Sequence, residues 1–181
     1  MRILGIDPGS RITGYGVISL ERGQARHVAN GCIRTPEGEM AERLRAIYDG
    51  VRAVIAAYEP REMAIEKVFV NRNVDSALKL GQARGAAIVA GASHGLRVFE
   101  FSPAEVKQAI VGQGRAEKVQ VQHMIKVLLK LTEGAESDAA DALAVALCHG
   151  HTREALQRMT APAELLRGMR AGRRRAGGLR R

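Results

Sequence analysis

The order of apolar and polar positions along the chain reads as strands first and helices later. Residues 2–7, RILGID, form an apolar run that ends at a turn, the pattern of a buried strand, and TGYGVISL (13–20) forms a second. A third candidate strand runs through ARHVANGCIRT (25–35), and three strands joined by glycine-bearing turns predict an antiparallel meander. After Pro36, Met40, Leu44, Ile47, Val51, Val54 and Tyr58 recur at spacings of four and three, the stripe of an amphipathic helix that Pro60 closes. EMAIEKVFV (62–70) reads as strand, NRNVD as a polar loop, and SALKLGQARGAAIVAGAS as a helix. Gly81 and Gly85 stand four apart in that helix, so another backbone can come close there, inside the domain or across a dimer. RVFEFS (97–102) is a fifth strand. PAEVKQAIV starts a helix with Pro103 in its first turn, and GQGRA interrupts it. EKVQVQHMIKVLLKL (117–131) is a further helix, and the last one opens in AESDAADALAVALCH (135–149). A meander followed by strands alternating with helices predicts an α/β fold, a mixed sheet with helices on both faces.

The length, 181 residues, suits one domain with a proper core. No apolar run reaches the ~18 residues of a membrane span, and MRILGIDPG turns to glycine and proline too early for a signal peptide. Cys32 and Cys148 lie far apart, without CxxC spacing. The expectation is a soluble protein of a reducing compartment, the cytoplasm. Charge changes the picture at one end only. The formal net charge is +9, but residues 167–181 carry seven arginines and no acid, and removing them leaves +2. The body is not uniformly basic, so a basic site must be a local patch. The tail suits a flexible, phosphate-seeking arm, or a solubilising end with no specific role.

The chemistry gathers on acids placed where apolar residues are expected. Asp7 ends the first strand, Glu66 sits within the fourth, and Asp138 and Asp141 share one face at the head of the last helix. Converging, they would raise one another's pKa unless bound cations offset the repulsion. An oxygen-only ligand set suits Mg²⁺ or Mn²⁺ rather than zinc, and two such ions can promote phosphodiester hydrolysis. Each acid also has a plainer reading. Asp138 would cap the helix with Asp141 in its first turn; Asp7 would shape a turn; Glu66 would pair with a neighbouring lysine. His149 and His151 lack the spacing of a structural zinc site, and a helix C-terminus accounts for them better. Gly9, Gly14 and Gly16 are similar to the phosphate loop of sugar kinases, which need two such halves where this chain has room for one.

Five stretches together carry a family resemblance: GIDPGSRITGYGVI, AIEKVFVNRNVDSALKLGQARGAA, VKQAIVG, AEKVQVQHM and SDAADALAVALCHGH. In order and without large gaps over residues 2–151, the chain resembles the RuvC family of bacterial crossover-junction endodeoxyribonucleases. The resemblance implies a ribonuclease-H-like fold with a five-stranded sheet, residues 1–153 as the nuclease domain and 154–181 as an Arg-rich tail. It implies a homodimer that cuts four-way (Holliday) junction DNA symmetrically, leaving 5′-phosphate and 3′-hydroxyl ends, and works with the RuvA–RuvB branch-migration complex. The family's four metal-binding acids fall on Asp7, Glu66, Asp138 and Asp141, which would hold two Mg²⁺ per subunit, with Mn²⁺ as substitute. Its two important lysines fall on Lys107 and Lys118, which otherwise read as solvated helix faces. Phe69, entering a polar loop, would stack on an unpaired base or merely close the core's edge, and Arg72 would take a phosphate. A ribonuclease-H-like nuclease acting on RNA or hybrids, and a non-catalytic nucleic-acid binder, are the alternatives; the complete acid set speaks against the binder.

Overall fold

The computed structural model describes residues 1–21, 23–68 and 73–160. Five strands form one sheet in the order β3-β2-β1-β4-β5: β1 (Arg2–Asp7), β2 (Ile12–Glu21), β3 (Gln24–Arg34), β4 (Glu62–Glu66) and β5 (Arg97–Phe101). β1, β2 and β3 make the antiparallel meander, while β4 joins β1 and β5 joins β4 in parallel. The sheet is thus mixed, as the strand pattern predicts. β1 lies at its centre, and Ile3, Leu4 and Ile6 are fully buried, each contributing about 1.5–3 kcal/mol on burial. Helices α1 (Met40–Tyr58) and α2 (Val74–Ser93) cover one face; α3 (Pro103–Val111), α4 (Lys118–Leu129) and α5 (Ser137–Thr160) cover the other.

The alternation of side chains across the sheet divides the core. Leu4, Ile6, Val17, Met63 and Ile65 pack on α1 and α2, while Ile3, Ile18, Ala64 and Phe101 pack under α3, α4 and α5. Helix ends follow their local signals. Ser102 and Glu105 form a capping box at α3 with Pro103 just inside, and Gly112 ends that helix at φ 76°.

Some boundaries differ from the sequence expectation. β4 ends at Glu66, short of the apolar run's end at residue 70, because β5 ends beside it at Phe101. α5 continues through residue 153 to Thr160; the rest of the Arg-rich tail, from 161, lies outside the described residues. His149 is therefore not at a helix C-terminus. It is buried in the middle of α5, stacked on Phe99 at 4.2 Å, with Nε2 donating to the Glu62 carboxylate at 2.7 Å. Arg153 bonds the other Glu62 oxygen at 2.6 Å, so this trio ties α5 to the start of β4. Burial holds the imidazole below its usual pKa against the pull of Glu62. His151, further along, faces the Ala109 carbonyl at 3.2 Å.

Gly14 and Gly16 lie inside β2, not in a phosphate loop. Their role is steric. A Cβ on Gly14 would stand 2.0 Å from the Asp138 carbonyl oxygen, and one on Gly5 would stand 2.0 Å from that of Ala142. The helix rests directly on β1 and β2, and backbone cannot yield there as a flexible side chain would. Gly14→Ala is expected to destabilise the protein by on the order of 3 kcal/mol in urea unfolding. An unchanged midpoint would show that α5 does not approach the sheet so closely.

Candidate active site

The four acids reach one place from two strands and one helix. Asp7 is the last residue of β1, and Glu66 is the last of β4. The parallel register pairs Ile6 with Ile65, so the next step along the ladder brings Asp7 and Glu66 side by side. Both share the sheet face of Gly5 and Ala64, the face on which α5 lies. Asp7 is also paired with Gly14 on β2, the glycine against which the Asp138 backbone rests. The missing Cβ of Gly14 therefore brings the first turn of α5 onto Asp7. Asp138 lies inside that first turn, since the helix begins at Ser137, and so does not occupy the capping position. Asp141 follows on the same face.

The electrostatics record this convergence. Burial, then Glu66, Asp141 and Asp138, push the Asp7 carboxyl up to about 8, while Lys118 pulls it down. Burial and Asp141 likewise raise Glu66, against a hydrogen bond from Asp7 and the charges of Lys118 and Lys107. Lys118, at the start of α4, donates from Nζ to Asp141 Oδ2 at 2.5 Å, and this bond raises the ammonium's own pKa. A cleft of about 180 Å³ opens here, lined by Glu66, Lys107, Lys118 and Asp141, with Val106, Val121 and Val145 as apolar walls. Both lysines expected at the site thus stand beside the acids. Phe69 and Arg72 lie outside the described residues. A larger cleft, about 1000 Å³ between β3 and the turn after α4, contains none of the four acids.

Among the described residues, no three Asp, Glu, His or Cys side chains stand in an arrangement that would hold a metal ion as they are. The Lys118 ammonium occupies Asp141, and Asp7 and Glu66 share a hydrogen bond. The donor set still fits a hard cation. It offers only oxygens and is partly desolvated.

Comparisons with known proteins give the family. The family model described as "Crossover junction endodeoxyribonuclease RuvC" matches residues 3–149. The chain belongs to the RuvC family. A Pseudomonas fluorescens crossover junction endodeoxyribonuclease RuvC is 56% identical over 178 residues, covering 98% of each chain. The Stutzerimonas stutzeri RuvC is 61% identical over 154 residues, 85% of this chain and 88% of that one. The structure of Thermus thermophilus RuvC in complex with Holliday junction substrate superposes with a TM-score of 0.79 at 36% identity, covering 84% of this chain and 94% of that one. The yeast mitochondrial Holliday junction resolvase Ydc2 shares the fold, with a TM-score of 0.66 at 13% identity over 86% of this chain and 80% of that one. The fold is the ribonuclease-H-like one of RuvC, as the resemblance implies.

Three features escaped the sequence reading. The capping box of α3 had a signal, Ser-x-x-Glu, in SPAE. The pairing of Glu62 with His149 had none, because the partners are 87 residues apart. Nor did the contact of Arg84 with the end of β4, which also joins distant segments.

The raised Asp7 pKa has a sign that can be tested. A carboxyl that holds its proton more tightly folded than unfolded favours the fold below about pH 4, and loses that contribution as pH rises towards 8. In the metal-free protein, Asp7→Asn should therefore raise the melting temperature at pH 8, and the gain should shrink at pH 5. Equal gains at both values would mean that Asp7 does not carry this strain.

Proposed function

We propose that the protein is a homodimeric, Mg²⁺-dependent endonuclease that resolves four-way DNA junctions during recombination and repair. The observation that carries this reading is the convergence of Asp7, Glu66, Asp138 and Asp141 beside Lys107 and Lys118, in a chain of the RuvC family. The four acids would hold two Mg²⁺, or Mn²⁺ in their place. When bound, the ions supply an activated water and neutralise charge on the scissile phosphodiester.

The protein's own groups do the rest. Asp7 and Glu66, fixed at strand ends, set the position of the ligand oxygens, and α5 brings Asp138 and Asp141 to them. The two lysines attract the backbone and offset charge gathering on the phosphate. Lys118 is held by Asp141, and with that carboxylate engaged by a cation the ammonium would be available to the phosphate. Water attacks phosphorus and the bond to the 3′ oxygen breaks, leaving a 5′-phosphate and a 3′-hydroxyl. Phe69 and Arg72 would meet the unpaired bases and backbone at the crossover, and the Arg-rich tail would add phosphate contacts beside the domain of residues 1–153.

Helix α2 is the candidate dimer surface. Val74, Leu78 and Val89 are exposed along it, and among the described residues nothing beyond the helix's own backbone lies within 4 Å of a Cβ built on Gly81 or Gly85. Small residues on an exposed helix face leave room for a partner's backbone. A dimer provides two sites, one for each of two opposed strands. No helix among the described residues is long and apolar enough to cross a membrane, and the proposed place of action is the cytoplasm, alongside RuvA and RuvB.

Cleavage of a synthetic mobile junction with and without Mg²⁺ tests this reading. The wild type should cut at symmetric positions only with the ion, and Asp141→Asn should lose at least about a thousandfold in rate while binding the junction nearly as well. Cleavage by that variant at the wild-type rate would exclude the metal cluster, and preference for an RNA–DNA hybrid would move the assignment to another nuclease class. Leu78→Glu should convert the dimer to a folded monomer in sedimentation; a dimer that persists would place the interface elsewhere.

A further inference from the structure

At the end of β4 the ladder to β5 continues one step further. Lys67 N–H donates to the Phe101 carbonyl of β5 at 2.7 Å. In a parallel ladder successive residues turn their backbone groups to opposite neighbours, so Glu66 turns its own N–H and C=O towards β1. The last paired residues there are Ile6 and Ile65, and the next β1 residue in line to donate to the Glu66 carbonyl is Pro8. Proline has no N–H. The backbone carbonyl of Glu66 would thus lack its ladder partner.

Arg84 supplies the bond. From α2 its Nε donates to the Glu66 carbonyl at 3.1 Å, while Nη2 pairs with the Glu100 carboxylate on β5. The side chain is only 18% exposed. One guanidinium, planar and rigid, thereby joins α2, β4 and β5 at the point where Glu66 projects. The same helix presents Gly81 and Gly85 outwards, so Arg84 lies between the proposed dimer face and the acid site.

We infer that Arg84 is a positioning residue for Glu66: it donates the hydrogen bond that Pro8 cannot, and so fixes the end of β4 from which the carboxylate projects. The inference rests on the reading of Glu66 as a metal-binding residue. Arg84 does not touch the reacting atoms. It narrows the orientations of Glu66, so its loss should act on turnover and on metal affinity, not on junction binding.

Arg84→Met keeps the stem's packing but has no donor, whereas Arg84→Gln keeps an N–H. For the Met variant, kcat on junction DNA should fall on the order of ten- to a hundredfold, with KM and junction Kd within about twofold of wild type. Mn²⁺ binding to the DNA-free protein, measured by calorimetry, should weaken by at least about threefold. The Gln variant should recover most of both. Wild-type kcat and Mn²⁺ affinity in Arg84→Met would overturn the inference, as would equal losses in both variants or a joint fall in melting temperature that accounts for them. Glu66→Gln separates the two levels: its wild-type cleavage would sink the site reading itself, whereas its inactivity beside an unimpaired Arg84→Met would sink only the role of Arg84.

Discussion

Direct contact between helix α5 and strands β1 and β2 is the constraint on which the rest depends. At Gly5 and Gly14 no side chain separates helix from sheet, and any added Cβ would enter the backbone of Ala142 or Asp138. Ala139, Ala142 and Ala146 are fully buried on the helix side, so small residues from both elements allow the approach. The Glu62–His149–Arg153 trio holds the far end of the same contact. With both ends held, the first turn of α5 has little freedom to move away from Asp7.

That packing gathers negative charge in a partly desolvated place, and the cost is visible. The Asp7 carboxyl rises to about 8, Glu66 rises with it, and Lys118 is drawn onto Asp141. A fold selected for stability alone would not place four acids so, since burying like charges is unfavourable. Under the proposed function the strain has a use. Divalent cations would offset the repulsion, and the basic side chains beside the acids would meet the phosphates that carboxylates alone would repel.

Much of this was legible in the sequence. The five strands and the order of the main helices follow from apolar periodicity. Asp7, Glu66, Asp138 and Asp141 stood out because each interrupts an apolar segment. The misreadings have a common cause, which is that close approach is a property of pairs of elements. Gly14 and Gly16 read as strand residues, and they do lie in β2, but that a helix needs their missing side chains shows only once α5 is packed on the sheet. His149 read as a helix-end histidine, yet α5 runs eleven residues past it and Glu62 meets it from 87 residues away. Arg84 carried no signal in the sequence, and only the register of β1 with β4 shows that its Nε stands where a backbone donor is missing.

Anomalous diffraction at the manganese edge, from crystals of the protein grown with Mn²⁺, tests most directly whether the packing of α5 on β1 and β2 assembles a metal site. The expected result is manganese on the α5 face of the sheet, bound by Asp7 together with Glu66 and an aspartate of α5. Manganese bound elsewhere, with Asp7 turned away from it, would contradict the assignment.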